Sequence, residues 1–146
     1  VIKNQNIVDL YFGTDYYHIL HDNRPKGATA QDPHLLIVPK GNSGHCDGSK
    51  IPSGKRFHLF KIAQTAMKVL QGAGYSTLLY LERNGTKLQG VQHKTGHVMG
   101  IRQFPKSLLA KLWALMRQAY PSTLSAQNLK ERIRHYQQFI DKLPIN

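Results

Sequence analysis

Between Gln89 and Met99 the chain reads Gln-Gly-Val-Gln-His-Lys-Thr-Gly-His-Val-Met. In an extended strand alternate side chains share a face, so His93, Thr95 and His97 project together, neighbours roughly 7 Å apart. Two imidazoles and a hydroxyl in such a row can hydrogen-bond an anion, shuttle a proton or hold a metal. Spacing alone is weak evidence, because eight histidines in one chain fall into pairs by chance. On that ground an exposed polar face explains the row better.

Other chemistry-bearing stretches carry less. His93-Lys94-Thr95-Gly96 fits one His-x-Thr-x element of the two-histidine phosphoesterases, but no other histidine has Ser or Thr two residues on. Gly54-Lys55 approaches a phosphate-binding P-loop without its leading glycine or its following hydroxyl residue. His45-Cys46-Asp47 lacks the further ligands that a zinc site needs, and a histidine adjacent in sequence is not a positioned base for a thiol. Neither a metal nor a cofactor is therefore expected. His18, His58 and His135 read as surface or partly buried packing residues, and Trp113 as a core or interface anchor.

The elements that must position the row follow from periodicity. Tyr16, Tyr17, Ile19 and Leu20 suggest a strand over 15–21, ended by the turn composition Asp22-Asn23-Arg24-Pro25. His34 to Val38 is a short apolar run stopped by Pro39, a buried strand. Residues 41–54, rich in glycine and serine, form a loop. Phe57, Phe60, Ala63, Met67 and Leu70 recur at helical spacing, with Ser53 near the start and Gly72 and Gly74 past the end. Strands are expected over 75–81 and 91–99. Strand, strand, helix, strand, strand fits an α+β fold with a mainly antiparallel sheet carrying a helix. Beyond Phe104-Pro105, Leu108 to Ala119 marks one helix, broken by Pro121, and Leu129, Ile133, Tyr136, Ile140 and Leu143 mark another. The expected division is a domain over 1–104 and a helical extension over 105–146, packed on it or on a second subunit.

The chain has 146 residues, 40% of them hydrophobic, enough for one cored domain. No apolar run approaches the roughly 18 residues of a membrane span, and no secretory leader is visible. Cys46 is the only cysteine, which favours a reducing compartment and a cytoplasmic location. The formal net charge of +12 attracts polyanions without choosing among them. The basic residues of the tail read more simply as a solvated helix face than as a binding surface.

Context gives the row of polar residues its meaning. The stretch 89–99 resembles the signature of the histidine triad family, three histidines alternating with apolar residues after a polar lead. Gln89, Val91, His93, His97, Val98 and Met99 fit, and Thr95 stands where the family has its middle histidine. The likeness runs from about Tyr16 through Arg102. His21-Asp22 followed by Pro25 is similar to the family's strand end, and His34-Leu35-Leu36-Ile37-Val38-Pro39-Lys40 to its histidine, four apolar, Pro-Lys strand. Gly100-Ile101-Arg102-Gln103 is similar to the nucleoside phosphoramidase branch in particular.

The resemblance implies a purine nucleotide in a cleft, its α-phosphate beside the triad strand. Family enzymes attack that phosphorus with the middle histidine to form a nucleotidyl-histidine. Carried over, Asp22 would contact ribose, and His34, Asn84, His93 and His97 would surround phosphate, with Gln89 and Gly90 in the lead. Four departures stand against it. Thr95 replaces the nucleophile, and Gly90 a hydroxyl residue that meets phosphate. Lys94 and Gly96 replace apolar residues, and the segment before His34 is longer than usual. A hydroxyl is weakly nucleophilic without a base to take its proton, whereas neutral imidazole attacks directly. The expectation is a purine nucleotide or nucleotidyl-conjugate binder, homodimeric by family analogy, with phosphoramidate or phosphoanhydride cleavage reduced, altered or lost. The alternative is a basic nucleic-acid or polyanion-binding module on the same scaffold.

Overall fold

A computed structural model of the chain describes residues 5–29, 31–40, 50–82, 96–103 and 105–143. Five strands form one sheet in the order β1-β2-β3-β5-β4, every neighbouring pair antiparallel. These are β1 (Asn6–Phe12), β2 (Asp15–His21), β3 (His34–Pro39), β4 (Thr77–Glu82) and β5 (Gly96–Ile101). Three helices complete it: α1 (Ser53–Gly72), α2 (Leu108–Ala119) and α3 (Ala126–Ile140). The α+β architecture is the one expected.

β1 was not anticipated. It opens a hairpin with β2 in which Phe12 faces Asp15. Gly13, first of the two turn residues, has φ +62°, the glycine position of a two-residue hairpin. A β-carbon there would stand 2.9 Å from the His58 ring. Asp9 interrupts the apolar pattern of this strand, and its carboxylate is taken up by His18, at 2.6 Å, and by Lys40. Burial, the largest single influence, opposes the charge. The Lys40, His18 and Asn6 contacts prevail and hold the Asp9 carboxyl down to about 2.

α1 lies across one sheet face, and its phase differs from the expected one. The buried residues are Leu59, Ile62, Ala63, Ala66, Val69 and Leu70, whereas Phe57 and Phe60 are exposed. The two alanines let the helix approach the sheet, and the rings that looked like core lie outside, Phe60 edge-on to Tyr80. Ser53 is the first helical residue and does not cap: the N-cap is Pro52, with no side-chain hydrogen bond. Gly72 is still helical, against Phe139, and Gly74 supplies the positive φ of +96° after the helix end.

Leu35 and Ile37 of β3, Val98 of β5, Tyr17 and Ile19 of β2 and the α1 stripe make one core. Leu129, Ile133, Tyr136 and Ile140 of α3 join that same core. Both tail helices are capped by serines, Ser107 accepting from Ala110 N–H and Ser125 from Asn128 N–H. α2 is otherwise: none of its residues is buried.

Candidate functional site

Register decides what the face opposite α1 carries. β3 and β5 pair His34 with Met99 and Leu36 with His97, and β4 and β5 pair Leu79 with Met99 and Thr77 with Ile101. Because side chains alternate, His34, Leu36, His97, Met99, Ile101 and Leu79 share one face. Gly96 is on the other, and a β-carbon there would meet the Tyr80 ring at 3.2 Å. The missing apolar side chain at that position is thus made up by Tyr80.

On that face His34 Nε2 lies 3.0 Å from His97 Nδ1. His34 is 1% exposed, its ring 5.2 Å from that of His97 between centroids. Behind it, Lys26 N–H donates to His34 Nδ1 at 3.2 Å, and Asp22 Oδ2 lies 3.2 Å from the same nitrogen. The Lys26 amide asks for a lone pair on Nδ1 and the Asp22 carboxylate for a proton, so the two neighbours together set the His34 tautomer. One of the two facing nitrogens, His34 Nε2 or His97 Nδ1, carries the proton that joins the rings. Should His34 become doubly protonated, the Asp22 carboxylate is in place to take the second N–H.

Asp22 is itself fixed. Its Oδ1 accepts from Arg24 N–H at 2.8 Å, and its backbone N–H donates to His34 O at 2.8 Å. The adjacent His21 faces the core side, wholly buried, its Nδ1 2.8 Å from Asp22 O. Burial, only partly offset by that carbonyl, lowers the His21 pKa to about 4. His21 is therefore a neutral support for the strand end.

The long segment before His34 is tied down by buried Asp32, which accepts from Thr29 N–H at 3.0 Å and from Arg102 N–H at 3.4 Å. Next to the histidine pair on the same face is an apolar hollow of about 450 Å³. Leu79, Met99 and Ile101 form its floor, Lys26 and Gly27 one side, and Ala114 and Leu115 of α2 the other. Arg117 donates to Pro25 O and Gly27 O at 3.3 and 3.4 Å, and Gln118 to Lys26 O, holding α2 there. Sequence reasoning missed Lys26 and this wall. Long-range backbone contacts carry no sequence pattern.

Of the expected site residues, Asp22, His34 and His97 come together. His93, Thr95, Asn84, Gln89 and Gly90 lie outside the described residues. So do Lys94 and the His45-Cys46-Asp47 stretch. His18 and His58 are partly buried and lie beside Asp9 and Asp15 at 2.6 and 3.1 Å, and His135 is exposed. Trp113 is exposed, so it is not a core anchor. Among the described residues no group of three His, Cys, Asp or Glu side chains is placed to hold a metal ion. Nor is any helix among them long and apolar enough to cross a membrane.

No protein-family model matches the chain, and no curated protein sequence does. Solved structures do match its fold. A zinc-bound histidine triad family protein from Mycobacterium smegmatis is 17% identical, with a TM-score of 0.65 over 94% of this chain and 85% of that one. A HIT-like protein from Bartonella henselae, described as involved in cell-cycle regulation, is 16% identical, TM-score 0.64, over 90% and 86%. A histidine triad protein from Bradyrhizobium japonicum is 15% identical, TM-score 0.58, over 94% and 92%. The chain has the fold of histidine triad proteins.

Proposed function

We propose that the protein binds a purine nucleotide or a nucleotidyl conjugate, with its phosphate at His97, and lacks the ordinary nucleotidyl-histidine chemistry of its fold. The observation that carries this is the His34–His97 contact at 3.0 Å, backed by Asp22 and the Lys26 amide. That network fixes both rings in place before any ligand arrives, which lowers the cost of binding there. In this reading His93 and Asn84 complete the phosphate shell, with Gln89 and Gly90 beside it. Asp22 is the ribose contact in this reading. The neighbouring hollow has room for an uncharged part of the ligand.

Thr95 stands where the resemblance puts the nucleophile, and a threonine hydroxyl needs a base. His97 Nδ1 is already engaged by His34 Nε2. Hydrolysis at the α-phosphorus is accordingly weak or absent. The basic surface, with net charge +12, supports the second reading, a polyanion binder.

Thermal-shift titrations with adenosine and guanosine monophosphates at low and high salt separate the two. A mononucleotide at a hundred times its Kd stabilises by about 2.7 kcal/mol. That shift is expected to survive salt and to vanish in His97→Ala. If neither nucleotide raises the melting temperature while an oligonucleotide does so at low salt only, the nucleotide reading is wrong. On an adenosine phosphoramidate, wild type and Thr95→Ala are expected to be equally slow, with turnover gained in Thr95→His.

A further inference from the structure

α2 is an amphipathic helix mounted inside out. Its intermediate-exposure residues are Ala110, Ala114 and Arg117, the small and polar side that meets the 25–28 segment. Leu108, Leu109, Leu112, Trp113, Met116 and Tyr120 form a continuous arc on the opposite side, at 49% to 80% exposure. A helix normally turns its apolar face to the core of its own domain. Here the core is already closed by α1 and α3, and a contiguous exposed apolar patch marks an interaction surface.

Charge identifies the occupant. Lys111 borders the arc, with Lys106 just ahead of the Ser107 cap. No acidic residue occurs between Glu82 and Glu131, and the whole chain carries +12. A second copy would bring the same cations against one another. It would also bury too little, since α2 is about 18 Å long and 10 Å wide, whereas a stable interface needs roughly 800 Å² per partner. Leucines flanked by cations, with Trp and Tyr in the arc, match a helix that lies flat in a lipid headgroup layer.

We propose that α2 docks the protein on an anionic lipid bilayer, with the Leu108–Tyr120 arc in the interface and the flanking cations on lipid phosphates or carboxylates. The docking is peripheral, since α2 is too short to span a bilayer. Through Arg117 and Gln118 the helix also holds the segment whose Lys26 amide contacts His34, so the docked face adjoins the candidate site.

Trp113 is the only tryptophan and reports directly. The full chain is mixed with phosphatidylcholine vesicles, with and without roughly 30% phosphatidylserine, and both emission and co-sedimentation are read. Expected are a blue shift and co-sedimentation with the anionic vesicles only. Each should be lost in Leu112→Glu and in high salt, and weakened about five-fold by each of Lys106→Gln and Lys111→Gln. Leu112 is at the surface, so Leu112→Glu should retain the wild-type circular dichroism and nucleotide thermal shift, which keeps this test separate from that of the candidate site. The proposal is overturned by unshifted emission with anionic vesicles, by equal binding to pure phosphatidylcholine, or by undiminished binding of Leu112→Glu. It is equally overturned if size-exclusion light scattering finds a vesicle-free dimer that Leu112→Glu dissociates, or if an oligonucleotide shifts Trp113 as the vesicles do.

Discussion

Acidification should weaken this protein through His21. The ring is wholly buried at the end of β2, stacked on Tyr136 with centroids 5.8 Å apart and planes 13° apart. Nδ1 is engaged by the Asp22 carbonyl, while Nε2 has no hydrogen-bond partner among the described residues. Burial is the chief cause that lowers its pKa from 6.5 to about 4, the Asp22 carbonyl opposes it, and Arg132 adds to the lowering. Between those values the unfolded chain binds a proton that the folded chain refuses. Stability is thus complete above pH 6.5 and falls as pH drops toward 4. The full loss is about 3 kcal/mol, of which about 2 kcal/mol has gone by pH 5. The assay is urea unfolding at pH 7 and pH 5, on wild type and on His21→Phe. The variant keeps an aromatic ring against Tyr136 and gives up one hydrogen bond, about 1 kcal/mol at both pH values. Its pH 7-to-5 loss should be smaller than that of wild type by about 2 kcal/mol, equivalent to roughly 6 °C in Tm. Parallel losses within about 0.5 kcal/mol would refute the argument, because the other histidines are common to both proteins.

Two further outcomes test the packing that positions the site. A β-carbon at Gly27 would fall 2.4 Å from Asp32 Cβ, so Gly27→Ala should destabilise by about 1–3 kcal/mol in thermal melts and weaken nucleotide binding, because the 26–28 segment carries the Lys26 amide. In α1, Leu59→Ala should cost about 2–5 kcal/mol and Phe57→Ala less than about 1 kcal/mol by urea unfolding; a reversed order would mean that α1 packs in the other phase.

Much of the scaffold was legible. The apolar run after His34 is flanked by residues that stop a strand, and it forms β3, central in the sheet. The spacing of Leu129, Ile133, Tyr136 and Ile140 matches the buried stripe of α3. β1 escaped because Asp9 breaks its pattern, and the partners that satisfy this acid, His18 and Lys40, come from other elements. α1 was recognised as a helix but misphased. Its sequence offers two apolar stripes, and only the sheet beneath it selects the one with alanines.

By itself the sequence determined the element types, the turns, the charge and the order of the motif residues, all properties set by neighbours along the chain. The tertiary structure decided that His34 and His97, 63 residues apart, meet at 3.0 Å. It decided too that Asp22 stands behind them and that α2 turns its apolar arc outward. Strand register and helix docking bring those groups together, and both depend on packing between segments that no local pattern encodes.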